Sequence, residues 1–375
     1  MSDLLLNTAE LVTVLPPRDR PEAFLRNRYF ATTVLSEQEE IVFDRILPDR
    51  ELAPFVHPDV PGKDAANRGF TATSLKPAYV KPQNTLRPSG NLIRMPGEQL
   101  AGAVSPEQRY AYNIAQILDD QDMRITRREE LMCSEVLRTG RVIVEGENYP
   151  TQTVNYQRAA ELTIALSGAA RWGESGVDPY DDIEDWIDLL AITDGFTARE
   201  VTLGPGAATL LKRSERFQKM LDNRRQASGS MEFGPVSTGA EGKYSAVLGQ
   251  IGEITFLQYS QGFTVGGVKR NFWPSYGVGI LDPQGFMGHF GYGAILDDQA
   301  LVPMERFPDM WREKNPSRTI LQTQAAPLPI APVYPPFDGF PAAVINYAQK
   351  EVARIRAYEN ELIRKRLAAQ ELEKA

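Results

Sequence analysis

The chain has 375 residues, of which 42% are hydrophobic and 24% charged, a globular mix that excludes a largely disordered protein. Its length suits two or three domains with enough core to need no disulfide or metal staple. The formal net charge of -8 argues against a dedicated nucleic-acid binder, which would carry a basic footprint.

Residues 1–45 read as an arm. Short apolar clusters (Leu4 to Leu6, Leu11 to Leu15) alternate with Pro16, Pro17 and Pro21. Phe24, Leu25, Tyr29 and Phe30 are too apolar for a free tail, so the arm is expected to lie on something. Residues 41–56 predict two short strands around Pro48-Asp49. Residues 57–94 have no helical period, are broken by Pro58, Pro61, Pro77, Pro82 and Pro88, and keep β-type pieces at 69–75 and 78–80. Lys63, Arg68, Lys76, Lys81, Arg87 and Arg94 against Asp59 and Asp64 give this stretch a local charge of +4. A structureless loop so long is unusual, and an extended hairpin reaching off the body is expected.

Residues 105–139 carry the clearest periodic signal. Ser105-Pro106-Glu107-Gln108 combines an N-cap, a proline at the first helical position and a capping-box glutamine. Tyr110, Ile114, Ile117, Leu118, Ile125, Met132, Val136 and Leu137 follow at helical spacing until Gly140 stops the helix. At 1.5 Å per residue this is a spine about 50 Å long. Strand-like alternation returns at 141–149, 152–155 and 161–166. Asp178-Pro179 opens a helix over 180–191 with Ile183, Trp186, Ile187 and Leu190 inward. A strand at 201–203 leads to a helix from Pro205 through Leu221, then a Gly/Ser/Ala-rich loop over 225–245. Strands and hairpins fill 246–280, and 319–330 is a last extended segment. A Pro-rich linker at 331–340 precedes a charged helix from Pro341 to the C-terminus, with Ala348, Val352, Ile355 and Leu362 as its narrow apolar stripe. The order describes an α+β protein in two packed parts with projecting arms.

Candidate chemistry is sparse. The run Asp178, Asp181, Asp182, Glu184, Asp185 and Asp188 has the composition of a hard-cation site but not the spacing of a calcium loop. Acidic residues in a first helical turn complement the helix dipole, and that structural role is expected. Cys133, inside the long helix, reads as a buried inert thiol, and as the lone cysteine it excludes a disulfide framework. His57 and His289 read as surface loop residues. The glycine-dense stretch 277–293 fits hairpins and tight turns better than a phosphate loop. No nucleophile elbow, zincin or Walker motif occurs, so no catalytic, cofactor or metal site is expected. Asp3 stands where a secretory leader would be basic, no apolar run approaches the ~20 residues of a membrane span, and a soluble cytosolic protein is expected.

Five short motifs in order resemble the lambda-type major capsid protein family (capsid protein E) of tailed bacteriophages. They are Tyr79-Val80-Lys81-Pro82 in the basic stretch, Asp178-Pro179 with Asp181-Asp182-Ile183-Glu184 at a helix start, Leu221-Asp222-x-Arg224-Arg225, Gly267-Val268-Lys269-Arg270-Asn271-Phe272, and Gln324-x-Ala326-Pro327-Leu328. The resemblance implies the Hong Kong-type (Johnson) capsid fold. It places an N-terminal arm at 1–45, an extended loop at 46–100, a peripheral domain with the spine helix at 101–175 and 315–335, and an axial domain at 176–314. The linker and helix of 336–375 lie beyond what the resemblance covers. The implied function is self-assembly into the hexamers and pentamers of an icosahedral head that encloses double-stranded DNA without sequence-specific binding. Scaffolding, portal and decoration proteins are the implied partners; the site is the virion, assembled in the host cytoplasm, with no membrane. Lys76, Lys81, Arg87, Phe24 and Tyr29 are the expected intersubunit contacts. An encapsulin-like nanocompartment shell and a metal-dependent enzyme using the 178–188 run remain as alternatives.

Overall fold

The computed structural model describes residues 23–46, 55, 59, 70–91, 105–146, 149–156, 158–193, 197–220, 244–286, 288–298, 303–331 and 342–344. From the N-terminus the elements are α1 (Phe24–Tyr29), β1 (Thr32–Leu35), β2 (Ile41–Ile46), β3 (Phe70–Leu75), β4 (Gln83–Leu86), α2 (Pro106–Thr139), β5 (Arg141–Gly146) and β6 (Tyr149–Asn155). There follow β7 (Thr163–Ile164), α3 (Pro179–Thr193), β8 (Glu200–Leu203), α4 (Pro205–Arg213), β9 (Ser245–Ile251), β10 (Ile254–Tyr259), β11 (Gly262–Val265) and β12 (Val268–Asn271). The chain closes with β13 (Val278–Leu281), α5 (Pro283–Phe286), β14 (His289–Tyr292), β15 (Phe307–Lys314), β16 (Ser317–Gln324), β17 (Pro327–Ile330) and β18 (Ala342–Val344). The chain divides into two compact units, one from residues 1–41, 75–133 and 289–330, the other from 42–74, 134–288 and 331–375.

The long helix α2 forms where its sequence signals place it. Ser105 Oγ accepts from the Gln108 amide at 3.2 Å while Gln108 Oε1 accepts from the Ser105 amide at 2.9 Å, a reciprocal capping box. Gly140 ends the helix at φ 63°, its amide donating to Val136 O at 2.8 Å.

In the first unit α2 lies on the antiparallel sheet β15-β16-β4, with Ile114 and Leu118 packed among Leu86, Met310 and Leu321. Gln121 is fully buried in this seam, yet its amide is satisfied. It donates to Asn84 Oδ1 and to Leu321 O, each at 3.0 Å, and accepts from Thr323 Oγ1 at 2.7 Å. A second sheet has the order β1-β14-β17, with β1 parallel and β17 antiparallel to β14. All four residues of β1 are exposed and all four of β17 are buried. Pro327 and Pro329 sit in β17, an edge strand, where proline is tolerated.

The second unit is built on a six-stranded sheet of order β7-β18-β13-β8-β10-β9. β8 is buried along its whole length, and α3 and α4 cover the sheet with Tyr180, Ile183, Trp186, Leu190, Ala207, Ala208 and Leu211. Tyr180, Phe217 and Phe256 form an aromatic cluster, the last two edge-to-face at 5.1 Å.

Four sequence expectations are corrected. The helix predicted from Pro205 through Leu221 stops at Arg213, because Ser214 leaves helical geometry (ψ 122°) and caps a new turn, its Oγ accepting from the Phe217 amide at 3.2 Å. His289 is not in a loop but opens β14. The stretch 75–91, expected within a projecting loop, is tied into the first unit by β4 on β16 and by a bridge between Val80 and Ala325. Residues 342–344 are a strand where a helix was expected from Pro341, and 345–375 lie outside the described residues, as do His57, Leu221-Asp222-x-Arg224-Arg225 and most of the 225–245 loop.

Gly204, at the start of α4, shows how closely the second unit is packed. A Cβ there would lie 2.0 Å from Pro274 O and 2.5 Å from Ser275 O, both backbone atoms. Gly204→Ala is expected to cost at least about 1–3 kcal/mol by overpacking, measured by urea unfolding of the purified subunit, whereas Gly90→Ala, whose Cβ would meet only Leu86 Cδ1 at 3.8 Å, should cost less.

Candidate assembly site

The most tightly bonded polar feature of the first unit is a buried ion cluster that fastens α1 to α2. Ala23, at the start of α1, makes no side-chain cap. Glu130 of α2 supplies one, its Oε1 accepting from the Leu25 amide at 2.9 Å and its Oε2 from the Arg26 amide at 3.2 Å. Next to it in sequence, the fully buried Glu129 accepts from Arg306 through both oxygens, Nη1 at 2.7 Å and Nη2 at 3.0 Å, and from the Tyr292 hydroxyl at 2.8 Å. Arg306 Nε also donates to Asp122 Oδ1 at 2.7 Å. Arg26 closes the cluster, its Nε 3.9 Å from Glu129 Oε2 and its guanidinium 5.0 Å from the Phe290 ring.

Burial pushes the Tyr292 hydroxyl well above its ordinary range, and the adjacent Glu129 carboxylate adds to the shift, so it stays a donor. Burial works against the charge on Arg306, but Glu129, Tyr292 and Asp122 together outweigh it and hold the guanidinium more firmly protonated. The Cys133 thiol is fully buried and pushed well up by that burial and then by Glu130, which makes it inert. Sequence reading missed this cluster. The available signal was a pair of glutamates at 129 and 130 in phase with the apolar stripe through Ile125, Met132 and Val136.

The acidic run at 178–188 is engaged structurally. Asp178 Oδ1 accepts from the Tyr180 amide at 3.0 Å, capping α3, and from Ser214 Oγ at 2.8 Å. Asp182 accepts from the Trp172 indole at 2.7 Å; burial raises its carboxyl, and that bond opposes the rise. Arg216 bridges Asp181 and Glu184. Among the described residues no group of three or more His, Cys, Asp or Glu is placed to hold a metal ion, and no helix is long and apolar enough to cross a membrane.

The five expected contact residues fall into two groups. Phe24 and Tyr29 are buried in the first unit of their own chain, at 3% and 1% exposure, which corrects their reading as contacts with a neighbour. Their apolar surface is already covered. Lys76, Lys81 and Arg87 are exposed. Lys76 pairs with Glu39, and Lys81 Nζ sits 4.9 Å from the centre of the Tyr79 ring. The Tyr79 hydroxyl is anchored on Ala294 O at 2.8 Å, so this tyrosine holds Lys81 at the surface.

The motif from Gly267 to Phe272 forms the outgoing strand of the β11-β12 hairpin. Gly266 and Gly267 turn it with φ of 56° and 84°, both in the region of a two-residue type I′ turn. Phe272 and Trp273 then bury at its base.

The sequence profile described as Phage major capsid protein E matches residues 7–334. The chain belongs to that family. This capsid protein is 26% identical over 330 residues to the major capsid protein of Enterobacteria phage phi80, covering 87% of this chain and 95% of that one. It is 25% identical over 329 residues to the major capsid protein of Escherichia phage lambda, covering 86% and 95%. A solved prophage capsid-protein structure from Escherichia coli CFT073 superposes with a TM-score of 0.69 at 20% identity, covering 92% of this chain and 100% of that one. The capsid of Ralstonia phage GP4 gives 0.51 at 12% identity over 88% and 92%. The fold is thus the Hong Kong-type capsid fold that the five motifs implied. The capsid protein is a structural shell component of a virion and not an enzyme, which removes the metalloenzyme reading.

Removing the acceptor at the centre of the cluster should be severe. Glu129→Ala leaves Arg306 and Tyr292 buried without their partner, and a loss of about 3–5 kcal/mol is expected. Pairing it with Arg306→Met should recover much of that loss, giving a favourable coupling in a double-mutant cycle read by denaturant unfolding. Asp181→Asn with Asp182→Asn should cost no more than ~1–2 kcal/mol and leave the subunit folded. A divalent-metal-dependent activity lost in that variant would contradict the structural role.

Proposed function

We propose that this capsid protein tiles the icosahedral head of a tailed bacteriophage as hexamers and pentamers around double-stranded DNA. The observation that carries the reading is the family match across residues 7–334, which takes in both compact units. The charge supports it: a wall of subunits each at formal net charge -8 adsorbs packaged DNA weakly, because affinity for DNA depends on neutralising phosphates with Lys and Arg. On this reading residues 101–175 and 315–335 are the peripheral domain and residues 176–314, which hold β8 to β13, the axial domain. Assembly takes place in the host cytoplasm with scaffolding and portal proteins, and a decoration protein is a further candidate partner.

Lys76, Lys81 and Arg87 are the residues on which intersubunit contact is proposed, since all three are exposed on a segment held in place by β4 and by Tyr79. Their role is to set register and encounter rate, because each exposed pair is worth only ~0–1 kcal/mol. Negative-stain microscopy of the purified chain tests the whole reading: closed shells are expected, and a monodisperse small oligomer under all assembly conditions would refute it. Lys81→Glu with Arg87→Glu should give folded subunits with fewer closed shells, most clearly at low salt. An unchanged shell yield would remove these two residues from the contact.

A further inference from the structure

We propose that the slot between β7 and β13 is a strand-acceptor site that the C-terminal extension of a neighbouring copy fills when subunits assemble. The inference rests on the shell-forming reading above. In the structure the slot holds β18. This strand runs antiparallel to β13, with Val344, Ala343 and Ala342 opposite Val278, Gly279 and Ile280. It runs parallel to β7, with Ala343 and Val344 opposite Thr163 and Ile164. Among the described residues β7 joins the sheet through β18 alone. Withdrawing β18 would therefore leave a gap one strand wide. Its walls lie inside the family-matched residues 7–334 and its filling lies beyond them.

Three features make the filling exchangeable. Recognition is by main-chain pairing, which any copy offers in the same register; this is how strand-addition sites bind their peptides. The paired stretch is only three residues long, while ordering each residue costs about 1–2 kcal/mol of backbone entropy, so the hold within one chain is weak. The spacer from 332 to 341 contains Pro332, Pro335, Pro336 and Pro341, and a Pro-rich spacer of that length can reach about 30 Å. Exchange between copies forms the same contacts as pairing within a chain and so costs little. Neighbours held in a shell present the strand at high effective concentration.

The test uses full-length chains. One copy carries Thr163→Cys and the other Ala343→Cys; the two are co-expressed, and shells are isolated, oxidised and run on a non-reducing gel. Thr163 is exposed, so the first substitution is benign, and buried Cys133 contributes no background. A covalent dimer is expected in mixed shells, reversed by reductant and missing from shells of either single variant. The pair Ile164→Cys and Val344→Cys repeats the measurement at the next register position. Shells with no dimer for either pair, and a disulfide only within chains carrying both substitutions, would overturn exchange and leave β18 as an internal strand. No disulfide in any arrangement would overturn the slot itself. Failure of the unmodified chain to form shells would instead refute the shell-forming reading, and this inference with it.

Discussion

The buried carboxylate of Glu129 is the point on which the first unit depends. It sits in the middle of α2, fully excluded from water, and answers Arg306 through both oxygens and Tyr292 through one. A charge in that position is tolerable only with partners on every side. Those partners come from α1, β14 and the segment leading into β15, so satisfying one side chain fixes where three distant pieces of the chain lie. Glu130, its neighbour, caps α1 and fixes the orientation in which that helix arrives. The hydrophobic seam under α2 then adds unspecific strength to an arrangement that the charges have made specific.

What could be read in the sequence follows from the range of the interactions involved. The capping box at Ser105, the stop at Gly140 and the α3 start at Asp178 are all local, set by residues within four positions of one another. Each was visible as a short pattern. The break at Ser214 was not, because the hydroxyl is held by Asp178, far away in sequence. β14 was hidden by its glycine-rich composition and gains its strand character only from pairing with β1 and β17. β15, half exposed at its outer end, needed its eight-residue ladder with β16 to become evident.

The candidate site divides along the same line. Exposed Lys76, Lys81 and Arg87 were legible as a basic surplus in a segment with few acids. The ion cluster was not, since its members are spread from Arg26 to Arg306 and none belongs to a recognisable local pattern. Phe24 and Tyr29 mark the limit of reasoning from apolarity: the sequence demands that they be covered, but says nothing of whether the cover is the same chain or another. The structure covers them from within. Identification as a shell protein came through motif order and family membership, not through any chemistry-bearing constellation.

The two prolines of β17 give the β1-β14-β17 sheet a polarity. Gly293 N donates to Ala326 O at 3.0 Å, and that bond sets the phase of the ladder. In this phase Pro327 and Pro329, opposite Tyr292 and Phe290, occupy the non-hydrogen-bonded pairs. At such positions a strand turns its amide groups outward, and proline has none to turn. The outer rim of β17 is therefore stripped of donors at both places where a further strand would look for them. A molecule made in many identical copies at high concentration has one side of this sheet closed to zipper-like growth, and any lateral addition to it is directed to the opposite rim, at β1.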